Sequence, residues 1–433
     1  MFQRYGGEVE IEALNEIGYD IVELGNHEFD KGSIYLAKQL KQAKFPILAC
    51  NIDCSAVPDL RNLVKPSMVK EINGEKIAFI GVITPDLENK VLELDGVKIK
   101  TPNGDWMQSV KDEIAYYQNQ GINKIVIVSH CGVELDKHLA ESIPSIDLIV
   151  GGHSHTCLRK SIWVSHEDGS QTMIVQTGCN ARALGNTYLS FDQLGHVSKT
   201  KTQYKLIPIT EALPSNKQLD KYLTDKEKPL LSLRTKIVGF SDGDFWNHFS
   251  HMPYDSAIGN LICDAMIEAV ADKEVSIALH NRGGIRFKIE KGPISEENIQ
   301  EILPFNNEIV CLTISGDKLI SILEYSLSGP HYGGFLDVHG LRIIYDPEHP
   351  AGKRIVKLLV QEGSVWSDIN KKALYKIAVN SYNFRGGDGY DFSNAKDIDC
   401  IGKRVADALR AYIAKHQHIK PKFSGRIKPI SNK

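Results

Sequence analysis

The run Asp20-Ile-Val-Glu-Leu-Gly-Asn-His-Glu-Phe-Asp30 opens apolar, halts at Gly25, and then delivers an amide, an imidazole and two carboxylates within five residues. A short β-branched run closed by glycine predicts a buried strand ending in a polar tip. The same grammar recurs at Phe45-Pro-Ile-Leu-Ala, Lys76-Ile-Ala-Phe-Ile, Lys124-Ile-Val-Ile-Val and Ile146-Asp-Leu-Ile-Val, with helical stretches between them. Strands alternating with helices predict parallel α/β units over about the first 200 residues. The tips read GNHEFD, CNID, ITPD, SHCG and GGHSH. In open α/β sheets functional groups gather beyond the carboxyl ends of the strands, so His27, His130, His153 and His155 are expected to converge.

Composition narrows the classes. A net charge of −3 over 433 residues gives no electrostatic footprint for nucleic acid polymer or anionic lipid. No apolar run is long enough for a membrane span, and MFQRYGGEVEIEALNEIG reads as an amphipathic helix rather than a signal segment. The eight cysteines form no C-x-x-C pair, which argues against a zinc ribbon. Cys50 and Cys54 are close enough to suggest a disulfide, but burial as small apolar side chains is the expected state of most of the eight.

Residues 211–238 are rich in charge and predict a linker helix interrupted at Pro229. A second domain, 239–433, opens with the helical pattern IGNLICDAMIEAVA and then mixes strands with Gly-rich loops.

One histidine at a strand tip is more often structural than a ligand. The H-x-H of GGHSH is more telling, because residues i and i+2 of an extended chain share a face, and Gly151 and Gly152 permit the turn that aims them. With the Asn26 carbonyl added, the set suits a divalent transition metal such as zinc, manganese or cobalt. Asp30 is either a partner of His27 or a helix N-cap. Asp136-Lys-His138 lies in a helical stretch and is expected at the surface.

Gly25-Asn-His-Glu-Phe-Asp30, Ser129-His-Cys-Gly132 and Gly151-Gly-His-Ser-His155, in that order, resemble the 5′-nucleotidase branch of the calcineurin-like metallophosphoesterases. Asn281-Arg-Gly-Gly-Ile-Arg286, Leu303-Pro-Phe-Asn306 and Asn380-Ser-Tyr-Asn-Phe-Arg-Gly-Gly-Asp-Gly-Tyr390 resemble that family's substrate-domain motifs. The resemblance implies an α/β metallophosphoesterase sandwich over 1–210, lacking its first strands, and an α+β substrate-binding domain over 239–433. It implies metal ligands at Asn26, His130, His153 and His155, catalytic roles for His27 and Asp30, and substrate contacts at Asn281, Arg286, Phe305, Tyr382 and Asp388. The implied reaction is metal-dependent hydrolysis of nucleoside 5′-monophosphates, with UDP-sugar hydrolysis, 2′,3′-cyclic phosphodiesterase/3′-nucleotidase or sulfur-ester hydrolysis as alternatives.

The family's D-x-H-G and G-D motifs, which precede GNHE, are absent upstream of Gly25. The resemblance therefore implies an incomplete two-metal site and little activity for this chain, or an inactive nucleotide-binding fragment. Asp337-Val-His-Gly340 spells D-x-H-G, but FLDVHGLRIIYD reads as a strand-turn-strand of the second domain. His251-Met-Pro-Tyr-Asp stands where the family often places an arginine for substrate phosphates. Full-length relatives of this kind are expected in the periplasm or outside the cell.

Overall fold

The structure is a computed structural model that describes residues 2–246, 254–328 and 333–430. It forms two compact units, Met1–Lys226 and Glu227–Lys433.

The first unit begins with helix α1 (Glu8–Ile17) and strand β1 (Val22–Glu23), followed by helix α2 (Ser33–Leu40) and strands β2 (Ile47–Leu48) and β3 (Val64–Lys65). Strands β1, β2 and β3 pair in parallel as one small sheet. The long apolar runs build a second sheet from β4 (Ser67–Ile72), β5 (Glu75–Ile83), β6 (Lys124–His130), β7 (Leu148–Val150), β8 (Ile162–Ser165) and β9 (Gln171–Val175). Its order is β8-β9-β7-β6-β5-β4. The inner pairs β5/β6, β6/β7 and β7/β9 are parallel, and antiparallel strands close both edges. The five runs that read alike in sequence thus fall into two sheets, the first two in the small sheet and the other three in the larger one.

Both faces of this larger sheet are covered, as near-continuous apolar strands require. Ala78, Ile80, Ile125 and Ile127 pack with Val110, Ile114 and Leu139 on one side, while Ile77, Val126, Leu148 and Met173 face the other. Val110 and Ile114 lie on helix α3 (Gln108–Gln118), and Leu139 on helix α4 (Val133–Ser142).

In the second unit the chain crosses a five-stranded sheet built from β10 (Ile277–Asn281), β11 (Glu308–Ser315), β12 (Leu336–His339), β13 (Leu374–Asn380) and β14 (Lys396–Arg404), in the order β12-β10-β13-β11-β14. Alternation along Ile309-Val-Cys-Leu-Thr-Ile314 feeds two cores. Ile309 and Cys311 pack under helices 257–269 and 405–416, while Val310, Leu312 and Ile314 pack against the helix 316–327 and strands 341–345 and 355–362. The inner strands of this sheet are therefore covered on both faces, which fixes the loops at their ends, while the edge strand β14 is largely exposed.

Gly340 turns at φ 73 between Leu336–His339 and Leu341–Tyr345, the strand-turn-strand expected there. Asp337 is buried in an ion pair with Arg282, and His339 contacts Asp264, so this D-x-H-G is occupied by structural bonds. All eight cysteines are free, and five of them, including Cys50 and Cys54, are buried. Among the described residues no helix is long and apolar enough to cross a membrane.

Candidate active site

In the first unit, GNHEFD leaves β1 as a single 3-10 turn, Asn26–Phe29, pinned by fully buried Phe29. Burying that ring contributes about 2 kcal/mol, enough to hold so short a turn in place. The Glu28 carboxylate accepts the Gly25 N–H at 2.8 Å. Gly25 has no alternative: a Cβ there would lie 2.6 Å from the His130 ring.

That close approach brings strand tips together. His130, the last residue of β6, places Nε2 3.1 Å from the Asn26 amide oxygen. Its ring centroid is 5.0 Å from that of His153. Burial, then the neighbouring His153, His27 and His155, push the His130 pKa down to about 3. It is a neutral imidazole with a lone pair for a cation. His27 Nδ1 contacts the Asp30 carboxylate at 3.0 Å, while the following helix is capped by Gly32 without a side chain. Asp30 serves the histidine, and the N-cap alternative falls.

The turn carrying His153 and His155 differs from the expectation. Its left-handed backbone sits on the histidines themselves, at φ 71 and φ 55. Gly151 is required for space instead: a Cβ would lie 2.3 Å from an Asp136 carboxylate oxygen. Non-glycine residues in that region cost about 1–3 kcal/mol each and are held by their surroundings. Here Gln176 is the clamp, accepting from Thr156 N and Ser154 Oγ while donating to the Gly152 carbonyl.

Asp136 also corrects the surface reading of its helix: it is fully buried and accepts from Ser129 Oγ at 2.5 Å, whereas His138 is exposed. Burial pushes its pKa up to about 7. Glu23 is likewise raised by burial, then by Glu28 and Asp136. Sequence reading missed both. The signal for Asp136 was its i+3 position on an apolar helix face, beside Val133, Leu139 and Ala140.

Among the described residues no three His, Cys, Asp or Glu side chains come together closely enough to hold a metal ion. What does converge is a mixed donor set for one ion, Asn26, His130 and His153. That chemistry fits a single divalent transition metal. Exposed His155 alone does not make a second site.

In the second unit Asn281 ends β10, Tyr382 and Asp388 follow β13, and Arg286 and Phe305 lie in loops on either side of the helix 296–302. Asn281 donates to Asp388 at 2.8 Å, and the Tyr382 hydroxyl lies 3.2 Å from the other carboxylate oxygen. Asn380, unanticipated, links this pair by donating to both Asn281 and Asn383. Asp388 is buried with φ 56, and its backbone N–H donates to Tyr382. Gly387 lies flat on the Tyr382 ring, where a Cβ would approach within 2.6 Å. Phe305 is half-buried beside Arg286, whose guanidinium sits 5.9 Å from its ring centroid. His251, Met252 and Pro253, the departure from the expected arginine, lie outside the described residues.

A parallel-cored α/β unit with histidines at its strand tips, joined in one chain to an α+β unit with a polar loop network, defines a hydrolase of the phosphoesterase class. Comparison makes this specific. Residues 238–395 match the 5′-nucleotidase C-terminal domain. Over its whole length the chain is similar to the 5′-nucleotidase precursor of Thermus thermophilus, at 29% identity and TM-score 0.94, covering 88% of that chain. It is 28% identical to the human 5′-nucleotidase over 99% of this chain and 79% of that one. It is 27% identical to the trifunctional nucleotide phosphoesterase YfkN of Bacillus subtilis over 99% of its own length but only 32% of the relative's. Over its whole length the chain is thus similar to 5′-nucleotidases, and residues 238–395 carry their C-terminal domain.

Proposed function

We propose that the protein is a metal-dependent phosphohydrolase of nucleoside 5′-monophosphates. The observation carrying this reading is the Asn26–His130–His153 donor set beside the His27–Asp30 pair at the strand tips. A divalent ion held by Asn26, His130 and His153 would supply Lewis acidity toward a phosphoryl oxygen.

The chain's own residues do the rest. Asp30 fixes the His27 ring through Nδ1, leaving Nε2 to stabilise charge on a phosphoryl oxygen. In the second unit, Asp388 is pre-set by Asn281 and Tyr382 to accept from ribose hydroxyls. Phe305 and Tyr382 supply aromatic rings on which a base can stack, each worth about 1–3 kcal/mol by analogy with single-strand binders. Arg286 suits a substrate phosphate through its planar fork.

A second reading, nucleotide binding with little turnover, is favoured by the absence of a closed metal cage among the described residues. Release of phosphate from AMP, a UDP-sugar and 2′,3′-cyclic AMP, with added Mn²⁺ or Zn²⁺, separates the two. AMP hydrolysis that chelator abolishes supports the first. Binding of AMP without any metal-stimulated release supports the second.

A further inference from the structure

Ser154, the residue between His153 and His155, has every hydrogen-bonding position of its hydroxyl filled. Its Oγ accepts the Val133 N–H at 3.1 Å, donates to Gln176 Oε1 at 2.9 Å and lies 2.9 Å from Thr156 Oγ1. A hydroxyl carries one proton and two lone pairs, so with its proton on Gln176 it accepts from Val133 and Thr156 together.

Gln176 is committed in the same way. Buried just past β9, it also accepts the Thr156 N–H at 2.5 Å and donates to the Gly152 carbonyl at 2.8 Å. These bonds grip Gly152, Ser154 and Thr156, the residues that flank both histidines, and none of them uses an imidazole.

The bond to Val133 reaches a second candidate ligand. His130 ends β6 and Val133 opens α4, whose cap, Gly132, has no side chain to offer. A helix-opening N–H has no partner inside its own helix, and Ser154 supplies one. The parallel pairing of β6 with β7 ends at Val128 and Val150. Beyond that point Ser154 joins the tip carrying His130 to the turn carrying His153, whose ring centroids lie 5.0 Å apart.

We propose that Ser154 and Gln176 are positioning residues of the metal site. By holding the two tips in one register they set the separation of the His130 and His153 rings, and with it the affinity for a divalent ion. This role rests on the metal-dependent reading of the site, in which neither residue is itself a ligand. Groups that orient ligands in this way change metal affinity by about 10–100-fold when they are removed.

Calorimetric titration of the metal-free full chain with Mn²⁺ tests this. Ser154→Ala removes the hydroxyl and Gln176→Leu removes both ends of the amide. Each should weaken Mn²⁺ binding by about 10–100-fold. Ser154→Thr keeps a hydroxyl at the same place and should restore the parent's affinity. Thr172→Val is the control for lost stability, because it removes a buried hydroxyl bond to the Ile146 carbonyl from β9 itself. It should bind Mn²⁺ as the parent does, even where its melting temperature falls as far as that of Ser154→Ala. Parental affinity in both Ser154→Ala and Gln176→Leu, a Ser154→Thr as weak as Ser154→Ala, or equal weakening in Thr172→Val would overturn the positioning role alone. A parent that takes up no Mn²⁺ would overturn the metal-dependent reading along with it.

Discussion

His27 Nδ1 lies 3.0 Å from an Asp30 carboxylate oxygen, three residues apart on one turn. The pair is half-open to solvent, so its value lies in orientation rather than in stability. Replacing His27 by Asn should lower kcat on AMP by about 10²–10⁴-fold, the usual scale for a positioned acid–base group. Asp30→Asn keeps a hydrogen-bonding side chain but removes its charge, and should cost less. Steady-state kinetics on both variants, with KM nearly unchanged, is the check.

Gly25→Ala should damage the donor set through space alone. Its Cβ would press on His130, which must move to relieve a 2.6 Å contact. Overpacking of this kind costs about 1–3 kcal/mol, and the displaced ring is a candidate ligand. Metal titration by calorimetry should show weakened or lost binding in Gly25→Ala, while nucleoside binding by the second unit persists.

The second unit's network gives a separate readout. Asp388→Asn replaces an acceptor that both Asn281 and Tyr382 address. Losing a charged acceptor costs about 1.5–3 kcal/mol, so adenosine affinity should fall by about ten- to a hundredfold. Gly387→Ala, which drives a methyl into the Tyr382 ring, should weaken binding without changing any charge. Fluorescence titration with adenosine distinguishes both from the parent.

Much of this arrangement was legible in the sequence, because a strand tip is a local signal. GNHEFD, SHCG and GGHSH each follow a short apolar run, and periodicity marks where such a run ends. The close approach of Asn26 to His130 was expected for the same reason, though no residue count supplies a distance. What stayed hidden depends on packing between distant elements. Asp136 looked like a surface residue because a charged side chain on a helix usually is one, and only Ser129 across the turn reveals its burial. The left-handed backbone of His153 and His155 was equally hidden: glycine is the residue that ordinarily marks such φ values, and the glycines there serve a steric need. Asn380 joins Asn281 to Asn383 only once β10 and β13 pair.

His280 supplies a pH prediction. It is buried in β10, and burial pushes its pKa down to about 4 despite the nearby Asp337 charge. In the unfolded chain the ring titrates near 6.5, so the unfolded state binds the extra proton as pH falls between 6.5 and 4. Stability is complete above about pH 6.5 and lost below it, by about 3 kcal/mol at most. In His280→Gln the urea midpoint should vary less across that window than in the parent, whatever its absolute value.

The most direct test is phosphate release from AMP by the full chain with saturating Mn²⁺, set beside His27→Asn and the chelated parent. Release by the parent, abolished by chelator and reduced at least about a hundredfold in His27→Asn, is the expected result. No metal-stimulated release by the parent, or equal release by His27→Asn, would contradict a phosphohydrolase built on the strand-tip histidines.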